Sequence, residues 1–384
     1  MDNLAALQRQ GMIGGMALWM ALIGWIVIRS AWRRQTSLER AFLEEARMNS
    51  WRRALCQLLP GLGAGALASL LMGWLEIELD ISQAMFFSAA AIILSLFRAF
   101  RYCGYLYGGA LVHAMSYSGA TAYQPDAVVL ICAVLCFCEG ALCLATAQFN
   151  RIPVLQDAGH SRAGAGCVAD INWPVPCLIG LAGGGLGPML FITGSFYQGA
   201  LTPYRGRMQV RGVVQAAGGL VLLLLALWLR AQPVALYGLH VALLLLVEGV
   251  QYYTAHAPVL TEADLPPRRG LRILYTLEKG PARKMGLKTG DVLLEVNGRA
   301  VNSERMLKEI LAPALPVVWA KWRRGEHEME GEQHSYKDPY EDLGIIALPV
   351  QTGHFYRQEA GGGLLNAFFA WLNQRRSVKN RSKE

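Results

Sequence analysis

The residues with the most specific chemistry are the histidines and serines that a hydrolase would use. A zinc hydrolase helix of the His-Glu-x-x-His type puts two imidazoles on the metal and a carboxylate beside the attacking water. None of the seven histidines has this spacing, since His327 is followed by Glu-Met-Glu-Gly and the others lack an adjacent glutamate. A Gly-x-Ser-x-Gly nucleophile turn is also missing from the sequence. We therefore expect that the protein is not an enzyme and holds no catalytic metal.

The eight cysteines offer thiol ligands, but their spacing fits packing better than metal binding. Cys136 and Cys138 flank a phenylalanine inside an apolar run, and the surrounding cysteines lack the spacing of a zinc site. Cysteine in such surroundings behaves as a small apolar residue. We predict packing residues and no cofactor at Cys56, Cys103, Cys132, Cys136, Cys138, Cys143, Cys167 and Cys177.

Ionisable residues inside apolar runs are candidates for function by default, because a charge is costly in lipid. Glu139, Glu248, His113 and His240 occupy such positions, singly and without a repeated pattern. This distribution gives no signature of a transporter or a channel. We expect Glu139 to make a polar contact between helices and the two histidines to be packing or interface residues.

The elements that carry these residues are mostly membrane spans. The chain is 53% hydrophobic and 17% charged, whereas soluble proteins carry about 25% charged residues. Roughly 17 apolar residues are enough to cross a bilayer as a helix. We expect an anchoring span and an arginine-rich loop in 1–53, followed by a polytopic α-helical membrane domain over 54–260. The seven unbroken runs are 12–28, 54–75, 84–100, 102–119, 127–148, 212–229 and 233–250.

An eighth apolar stretch, 173–194, differs from the others in composition. It contains Pro174, Pro176 and Pro188 and is rich in glycine. Proline removes a backbone donor, and each glycine costs about 1 kcal/mol in a helix. Two readings stay open: an eighth span, or a broken segment that re-enters and returns to the same side.

The arginines predict how the membrane domain is inserted. Seven arginines lie in 29–53, and positively charged loops tend to stay in the cytoplasm. With seven spans, Arg205, Arg207 and Arg211 are cytoplasmic together with the C-terminal part, and only Arg230 breaks the rule. With eight spans, the C-terminal part lies outside. We therefore favour seven spans in the plasma membrane. The net charge of +8 fits anionic lipid, and no basic stripe interleaved with aromatic residues indicates nucleic acid.

After the last span the pattern changes to short strands and turns. The segment 270–276 alternates like a strand, Asn297 and Gly298 mark a hairpin, and Ser303 can cap a helix. Gly-Pro-Ala, Gly-Leu, Gly-Asp-Val-Leu-Leu-Glu-Val-Asn-Gly and Val-Asn-Ser follow in this order, and together they resemble a bacterial-type PDZ domain over 262–352. The resemblance implies a small α+β domain, a β-sandwich or partly open barrel with two helices, that binds an extended peptide at a strand edge.

The same resemblance implies a peptide-binding site. Backbone amides at Gly270 and Leu271 would hold the ligand carboxylate, and Glu304 and Lys308 would face the groove from the helix. An ordinary surface ion pair is the alternative for those two, and a core position is the alternative for Leu311. The full set is Arg269, Gly270, Leu271, Ile273, Glu304, Lys308 and Leu311.

The last segment, 353–384, combines an apolar stretch with a basic end. The run LLNAFFAWLNQRR is followed by Lys379, Arg381 and Lys383. An interfacial helix on anionic lipid and a disordered basic terminus both fit this composition.

The membrane half carries a second resemblance. Runs similar to those of MinJ-like proteins of Gram-positive rods occur at 101–111 (RYCGYLYGGAL), 136–155 (CFCEGALCLATAQFNRIPVL) and 173–176 (WPVP). Cys136 departs from the histidine expected near Glu139. The resemblance implies a membrane scaffold that recruits division or polarity proteins at the septum, with DivIVA-like and MinD-like partners. The alternative is a peptide-sensing membrane protein that regulates proteolysis or transport, with its PDZ domain outside the cell.

Overall fold

A computed structural model describes most of the chain. The described residues are 2–43, 50–97, 100–117, 124–146, 151–157, 163–182, 184–201, 203–256, 267–277, 280–334 and 342–348. The tail 353–384 lies outside them, so both readings of it stay predictions.

The N-terminal two-thirds of the chain is built on helices. The central helix is apolar on all sides, the pattern of a helix buried by its neighbours, and 83% of its most apolar stretch is buried. This helix is α5, Pro125–Thr146. The others are α1 Asp2–Leu43, α2 Ser50–Trp74, α3 Ile81–Leu96, α4 Gly104–Tyr117, α6 Tyr204–Trp228 and α7 Pro233–Ala255.

Within the described residues, four helical stretches are long and apolar enough to cross a membrane. They are Ala54–Trp74, Pro125–Thr146, Tyr204–Trp228 and Pro233–Ala255. Each overlaps one of the predicted runs. The helices α3 and α4 overlap two more runs but have only 16 and 14 residues. The chain therefore has a helical membrane part, and the count of seven spans stays a prediction.

The stretch 173–194 is β structure, so neither a membrane helix nor a broken helix describes it. It lies in a long antiparallel hairpin of β3, Ala163–Leu181, and β4, Leu186–Ala200. The turn uses Gly184 and Gly185, whose positive φ angles of 93° and 94° are conformations that glycine adopts without strain. A purely helical description of this half is therefore wrong. Because the hairpin returns to the end where it began, it leaves the chain on the same side as a re-entrant segment would.

Proline is tolerated in the middle of β3 because, among the described strands, none pairs with that part of its second edge. The short strand β1, Glu78–Leu79, pairs with the last residues of β3, and β2, Ile152–Asp157, pairs with the first. Between these strands the edge faces α2. Pro174 and Pro176 have no N–H that would be left unpaired there. The Leu178 amide donates to Oγ of Ser69 on α2, at 2.9 Å.

The outer edge of β4 is satisfied by side chains from the surrounding helices. Oγ of Ser88 accepts from the Leu190 amide and donates to the Leu190 carbonyl, both at 3.1 Å. The Gly194 carbonyl accepts from Arg211 at 2.9 Å and from Gln251 at 3.1 Å. Backbone groups in lipid must find partners inside the protein, and these contacts meet that requirement for part of a sheet edge.

Two glycines allow α2 to lie directly on β3. A Cβ atom on Gly61 would be 2.2 Å from the Pro174 carbonyl oxygen, and one on Gly65 would be 1.9 Å from that of Pro176. Any larger residue would push the helix off the strand. The spacing of four residues, which in membrane helices usually marks contact with another helix, marks contact with a strand here.

Glu139 and Arg211 form a buried ion pair between α5 and α6. Nη2 of Arg211 lies 2.9 Å from Oε1 of Glu139, and both side chains are fully buried. Tyr105 donates to the carboxylate at 3.1 Å, and Arg211 donates to Gln251 at 2.7 Å. The contact expected for Glu139 is present. The expectation that Arg211 is an exposed cytoplasmic charge is wrong. Arg205 and Arg207 precede it in α6, so the sequence did not show that Arg211 belongs to the buried part of this helix.

Arg230, the one arginine that breaks the charge rule under seven spans, has an acidic partner. Its Nε lies 2.9 Å from Oδ2 of Asp126, and both side chains are partly exposed. Asp126 opens α5 and Arg230 follows α6, so these two helix ends lie together. The positive charge at this end of the bundle is therefore compensated locally.

The described residues from 267 onward form a second, α+β unit. Its sheet has the order β10-β5-β6-β8-β9, and β7 pairs with β6. Trp322 and Leu293 are buried in its core together with Leu307 and Leu311 of the longer helix. The coarser prediction, a helical membrane part followed by a small α+β unit, is confirmed, and this unit is called the PDZ domain below after the resemblance of its sequence. The elements are β5 Leu271–Thr276, α8 Pro281–Lys284, β6 Val292–Val296, β7 Arg299–Ala300, α9 Glu304–Leu311, β8 Val317–Arg324, β9 His327–His334 and β10 Ile345–Leu348.

The Gly-Asp pair of the motif closes the turn before β6. The Asp291 carboxylate accepts the Lys288 amide at 2.8 Å and both Nε and Nη2 of Arg324, at 2.8 and 2.7 Å. This hydrogen bonding raises the pKa of the Arg324 guanidinium. Arg324 also donates to the Gly286 carbonyl at 2.7 Å, so one side chain ties the turn to β8.

The PDZ domain packs against the open end of the hairpin. Leu274 and Leu348 of the PDZ domain form one buried apolar cluster with Leu155 of β2 and Ala165 of β3, and Ile346 packs against it. The domain is therefore positioned at the end of the membrane part where the hairpin begins and ends.

Candidate peptide-binding site

The helix α9 presents a buried face and a polar face because of its sequence. Ser303 caps it, with Oγ accepting from the Met306 amide at 3.2 Å. Leu307, Ile310 and Leu311 recur at helical spacing and are buried. Leu311 is 1% exposed, so it contributes to the core and at most its edge is open to a ligand.

Glu304 and Lys308 form the ion pair that was the alternative to a role in the site. Nζ of Lys308 lies 2.8 Å from Oε1 of Glu304, and the two side chains are 74% and 39% exposed. A second pair, Arg305 with Glu309 at 2.9 Å, has the same spacing. Exposed pairs of this kind contribute about 0.3–0.5 kcal/mol. Both members of the first pair remain accessible to a ligand.

The strand β5 has no free edge for a peptide. Leu271 and Arg272 pair with β6, and residues 272–276 pair with β10 on the other side. Leu271 and Ile273 are fully buried. A peptide can extend a sheet only at an edge strand, and within the described residues β5 lies between β6 and β10, so the peptide-binding role of Leu271 and Ile273 stays a prediction.

Gly270 is occupied by a contact within the domain. Its amide donates to Oδ1 of Asn302 at 2.9 Å, so it is not available for a ligand carboxylate. Its φ angle is 89°, and a Cβ atom would lie 2.5 Å from the Leu293 carbonyl oxygen. The glycine is therefore required by the backbone path. Arg269, beside it, is exposed.

In the described part of the chain, the sheet has two edge strands, β9 and β10, and β10 is the one next to β5. Within the described residues β10 pairs only with β5, and it ends the sheet. The Leu277 amide donates to the Gly344 carbonyl at 2.8 Å, which makes Ile345 and Thr276 a non-hydrogen-bonded pair. The amide and carbonyl of Ile345 therefore point away from β5, toward the side on which an added strand would lie.

The two faces of β10 have different neighbours. Ile345 and Ala347 pack against the PDZ core, which also contains Leu307 and Leu311 of α9. Ile346 and Leu348 face the cluster at the hairpin. One face of the strand therefore contributes to the same core as α9, and the region between β10 and α9 is termed the peptide groove below.

A glycine turn precedes the edge strand. Leu343 is buried, and Gly344 has a φ angle of 68°. None of the ligand contacts predicted from the sequence lies in this segment. Its sequence does carry a turn signal, a glycine between Leu343 and Ile345 immediately before a β-rich run.

Within the described parts of the chain, no three residues among His, Cys, Asp and Glu are placed to hold a metal ion. All eight cysteines are free thiols, and all except Cys56 are buried. His113 and His240 lie edge to face, with ring centroids 4.7 Å apart, and Nε2 of His240 contacts the Leu106 carbonyl at 2.9 Å. The two histidines therefore lie at a helix interface, as expected.

Comparison with known proteins gives likenesses of different extent. No protein-family model matches the chain. A probable periplasmic serine endoprotease, DegP-like, from Bartonella henselae is 29% identical over 128 residues, and the match spans 27% of this chain and 25% of that protein. The PDZ domain of the SdrC-like protein of Listeria monocytogenes shares 17% identity over 21% of this chain and 90% of that structure. Its TM-score of 0.19 is too low to support an argument about fold.

The similarity to probable MinJ proteins extends over most of the chain. Probable cell division topological determinants MinJ of Lacticaseibacillus paracasei and Lacticaseibacillus casei are each 27% identical over 325 residues. The match spans 76% of this chain and 85% of each of those proteins. It therefore reaches well beyond any single domain. The resemblance to MinJ-like proteins, first seen in three short runs of the membrane half, is confirmed over about three quarters of the chain.

Proposed function

We propose that the protein is a membrane-anchored adaptor that captures partner peptides in the peptide groove and acts in division-site selection. The observation that carries this proposal is the open edge of β10, a strand that shares a buried core with α9, on a domain packed against the membrane part. The similarity to MinJ, a cell division topological determinant, supports the division role.

The ligand is an extended peptide that adds to β10 as a further strand. The outward amide and carbonyl of Ile345 supply main-chain hydrogen bonds. The turn at Leu343 and Gly344 receives the ligand terminus, because a positive-φ glycine turns successive amides toward one point. Glu304 and Lys308 contact the ligand from α9, and Leu311 closes the floor of the groove.

The PDZ domain lies on the cytoplasmic side in this proposal. The hairpin base carries Asp170, whose carboxylate lies 3.8 Å from Arg34 and 3.6 Å from Arg101. Arg34 belongs to the arginine-rich stretch that the charge rule assigns to the cytoplasm. Since the PDZ domain packs against the same end of the hairpin, it follows the arginines. By the charge rule Arg205 and Arg207 also favour the cytoplasmic side. Arg211 no longer counts toward it, because its side chain is buried.

The proposed partners are cytoplasmic proteins of the division apparatus, of the DivIVA-like and MinD-like kind implied by the resemblance. The adaptor performs no reaction of its own. A different function, regulation of proteolysis by a PDZ domain outside the cell, draws on the DegP-like match. That match spans a quarter of the protease, so the relative's activity is not carried over.

Peptide selection on the full chain tests the adaptor function. The protein is reconstituted in lipid nanodiscs and exposed to a display library of random free C-termini. We expect recovery of a consensus, and loss of that consensus with Ala347→Trp, which fills the groove. Ala312→Trp, at an exposed position after α9, is the matched control and should recover the wild-type consensus. Identical recovery by both variants would refute the groove.

Reporter fusions at the C-terminus separate the two functions. A fluorophore active only in the cytoplasm should be bright, and a phosphatase active only outside should be silent. The opposite pattern would place the PDZ domain outside and favour the protease-regulating function.

A further inference from the structure

A cavity of about 690 Å³ lies on the exposed side of α1, beside the start of α2. It is far in the sequence from the PDZ domain and takes no part in the peptide groove. Most of its lining residues are aromatic or basic. They are Trp25, Arg29, Trp32, Arg33, Thr36, Ser37, Arg40 and Trp51. No carboxylate is among these lining residues.

The arginines of the cavity recur on one face of α1. Arg29, Arg33 and Arg40 are spaced by four and seven residues, which places them on the same side of a helix. All three side chains are exposed. Guanidinium groups are suited to phosphate because they offer paired donors and keep their charge. Three of them around one cavity form a binding site for a phosphate group.

The tryptophans place the cavity at the depth of lipid headgroups. Trp25 and Trp32 meet edge to face at 5.6 Å, and Trp51 is 69% exposed. Trp25 lies near the end of the apolar run 12–28, and Trp51 just precedes the span Ala54–Trp74. Tryptophan concentrates where hydrocarbon meets water, so the arginines lie at the surface of the bilayer.

An apolar strip leads away from the cavity along α2. Leu55, Leu59 and Leu62 follow Trp51 at spacings of four, four and three residues, so they share one face of the helix. They are 49%, 60% and 49% exposed. A ligand with a phosphate head and an acyl chain would contact arginines at one end and these leucines along its length.

We propose that this cavity is a binding site for the headgroup of an anionic phospholipid. The arginines hold the phosphodiester, the tryptophans flank the glycerol region, and the leucines of α2 contact an acyl chain. An inorganic phosphate ion would use the arginines alone, so the aromatic and apolar parts of the site distinguish the lipid from the free ion.

Native mass spectrometry of the full chain in neutral detergent tests the site. The probes are phosphatidylglycerol and phosphatidylcholine with identical acyl chains, and sodium phosphate is the competitor. Wild type should retain phosphatidylglycerol at least tenfold more tightly than phosphatidylcholine. The triple variant Arg29→Gln, Arg33→Gln, Arg40→Gln should lose that preference, since each surface arginine contributes to anionic lipid binding.

Two further variants control for charge and for insertion. Arg268→Gln, Arg299→Gln, Arg323→Gln removes the same charge from exposed positions of the PDZ domain and should keep the preference. Trp51→Ala leaves every arginine in place, so it tests the site independently of whether the triple variant inserts. It should weaken phosphatidylglycerol retention several-fold. Equal retention by Trp51→Ala and wild type, or equal retention of both lipids by wild type, would overturn the proposal. Displacement of the lipid by equimolar phosphate would assign the site to a free anion instead.

Discussion

Single residues in this chain settle two matters that composition leaves open: how a charge is buried in the membrane part and which glycines the backbone requires. Arg211 reads as a loop charge because Arg205 and Arg207 precede it, yet its partner Glu139 is 72 residues away in the sequence. A pairing at that distance has no local signal. Gly270 shows the converse, because its positive φ marks a backbone requirement that we took for a ligand contact.

Removing one partner of the buried ion pair should destabilise the membrane part. Arg211→Leu leaves the Glu139 carboxylate buried without its cation, and such changes cost about 3–5 kcal/mol. The midpoint of SDS-induced unfolding in mixed micelles measures the effect. Arg205→Leu, at an exposed position of the same helix, is the control and should shift the midpoint little.

The double variant Glu139→Leu, Arg211→Leu should recover part of the loss, because no lone charge remains. Equal midpoints for Arg211→Leu and Arg205→Leu would show that the pair contributes nothing.

The backbone requirement at Gly270 can be separated from the general cost of positive φ. Gly270→Ala and Gly298→Ala both force alanine to a positive φ, at 89° and 75°, which costs about 1–2 kcal/mol. Only the first also brings a Cβ to 2.5 Å from a carbonyl oxygen, while nothing lies within 4 Å at Gly298. Thermal denaturation should show a clearly larger loss of stability for Gly270→Ala. Matching losses would mean that the contact relaxes freely.

At the scale of elements, the sequence predicts helices by length and hydropathy but does not reveal the hairpin. Its strands are largely buried on both faces, and even polar residues such as Asp170 and Asn172 are buried, so the alternation that identifies half-buried strands is lost. The glycine-rich turn between two runs with Val, Ile, Phe and Trp was the remaining sign. In the PDZ domain, turn chemistry predicts the strands well, but the order in which strands pair is a long-range property, so the sequence does not show that β10 lies at the edge of the sheet.

The packing of α2 on the hairpin predicts different tolerance at neighbouring glycines. Gly65→Ala would place a Cβ 1.9 Å from the Pro176 carbonyl oxygen, whereas Gly63 has nothing within 4 Å. We expect Gly65→Ala to lower the thermal stability of the detergent-solubilised protein. Gly63→Ala should leave it unchanged or raise it slightly, as alanine favours helix over glycine by about 1 kcal/mol. The reverse order would argue against the contact.

The two ion pairs of α9 allow a matched test of the face that meets the ligand. Lys308→Glu reverses a charge proposed to contact the peptide, and Arg305→Glu reverses one in the neighbouring pair. Each change breaks one exposed ion pair of the same spacing, so stability should fall by similar, small amounts. Peptide affinity, measured by fluorescence anisotropy on the full chain, should change several-fold only for Lys308→Glu. Equal affinity for both variants would remove Lys308 from the site.

At the scale of the whole molecule, the hairpin links insertion to function. It brings the chain back to the end from which it started, and the PDZ domain packs on that same end through Leu274 and Leu348. The side of the PDZ domain then depends on the arginines near Arg34. Counting spans cannot give this result. The stretch 173–194 is long enough to be counted as a span, but it lies in a hairpin whose two strands run in opposite directions.

One measurement tests the groove, the side of the membrane and the class of partner together. A photo-crosslinking residue is placed at Ile345, on the open edge of β10, and separately at Glu330, an exposed position on β9 at the far edge of the sheet. Crosslinking is done in growing cells, and the products are identified by mass spectrometry. We predict that position 345 alone captures cytoplasmic division proteins. Capture of extracytoplasmic proteins at position 345, or the same products from both positions, would contradict the account.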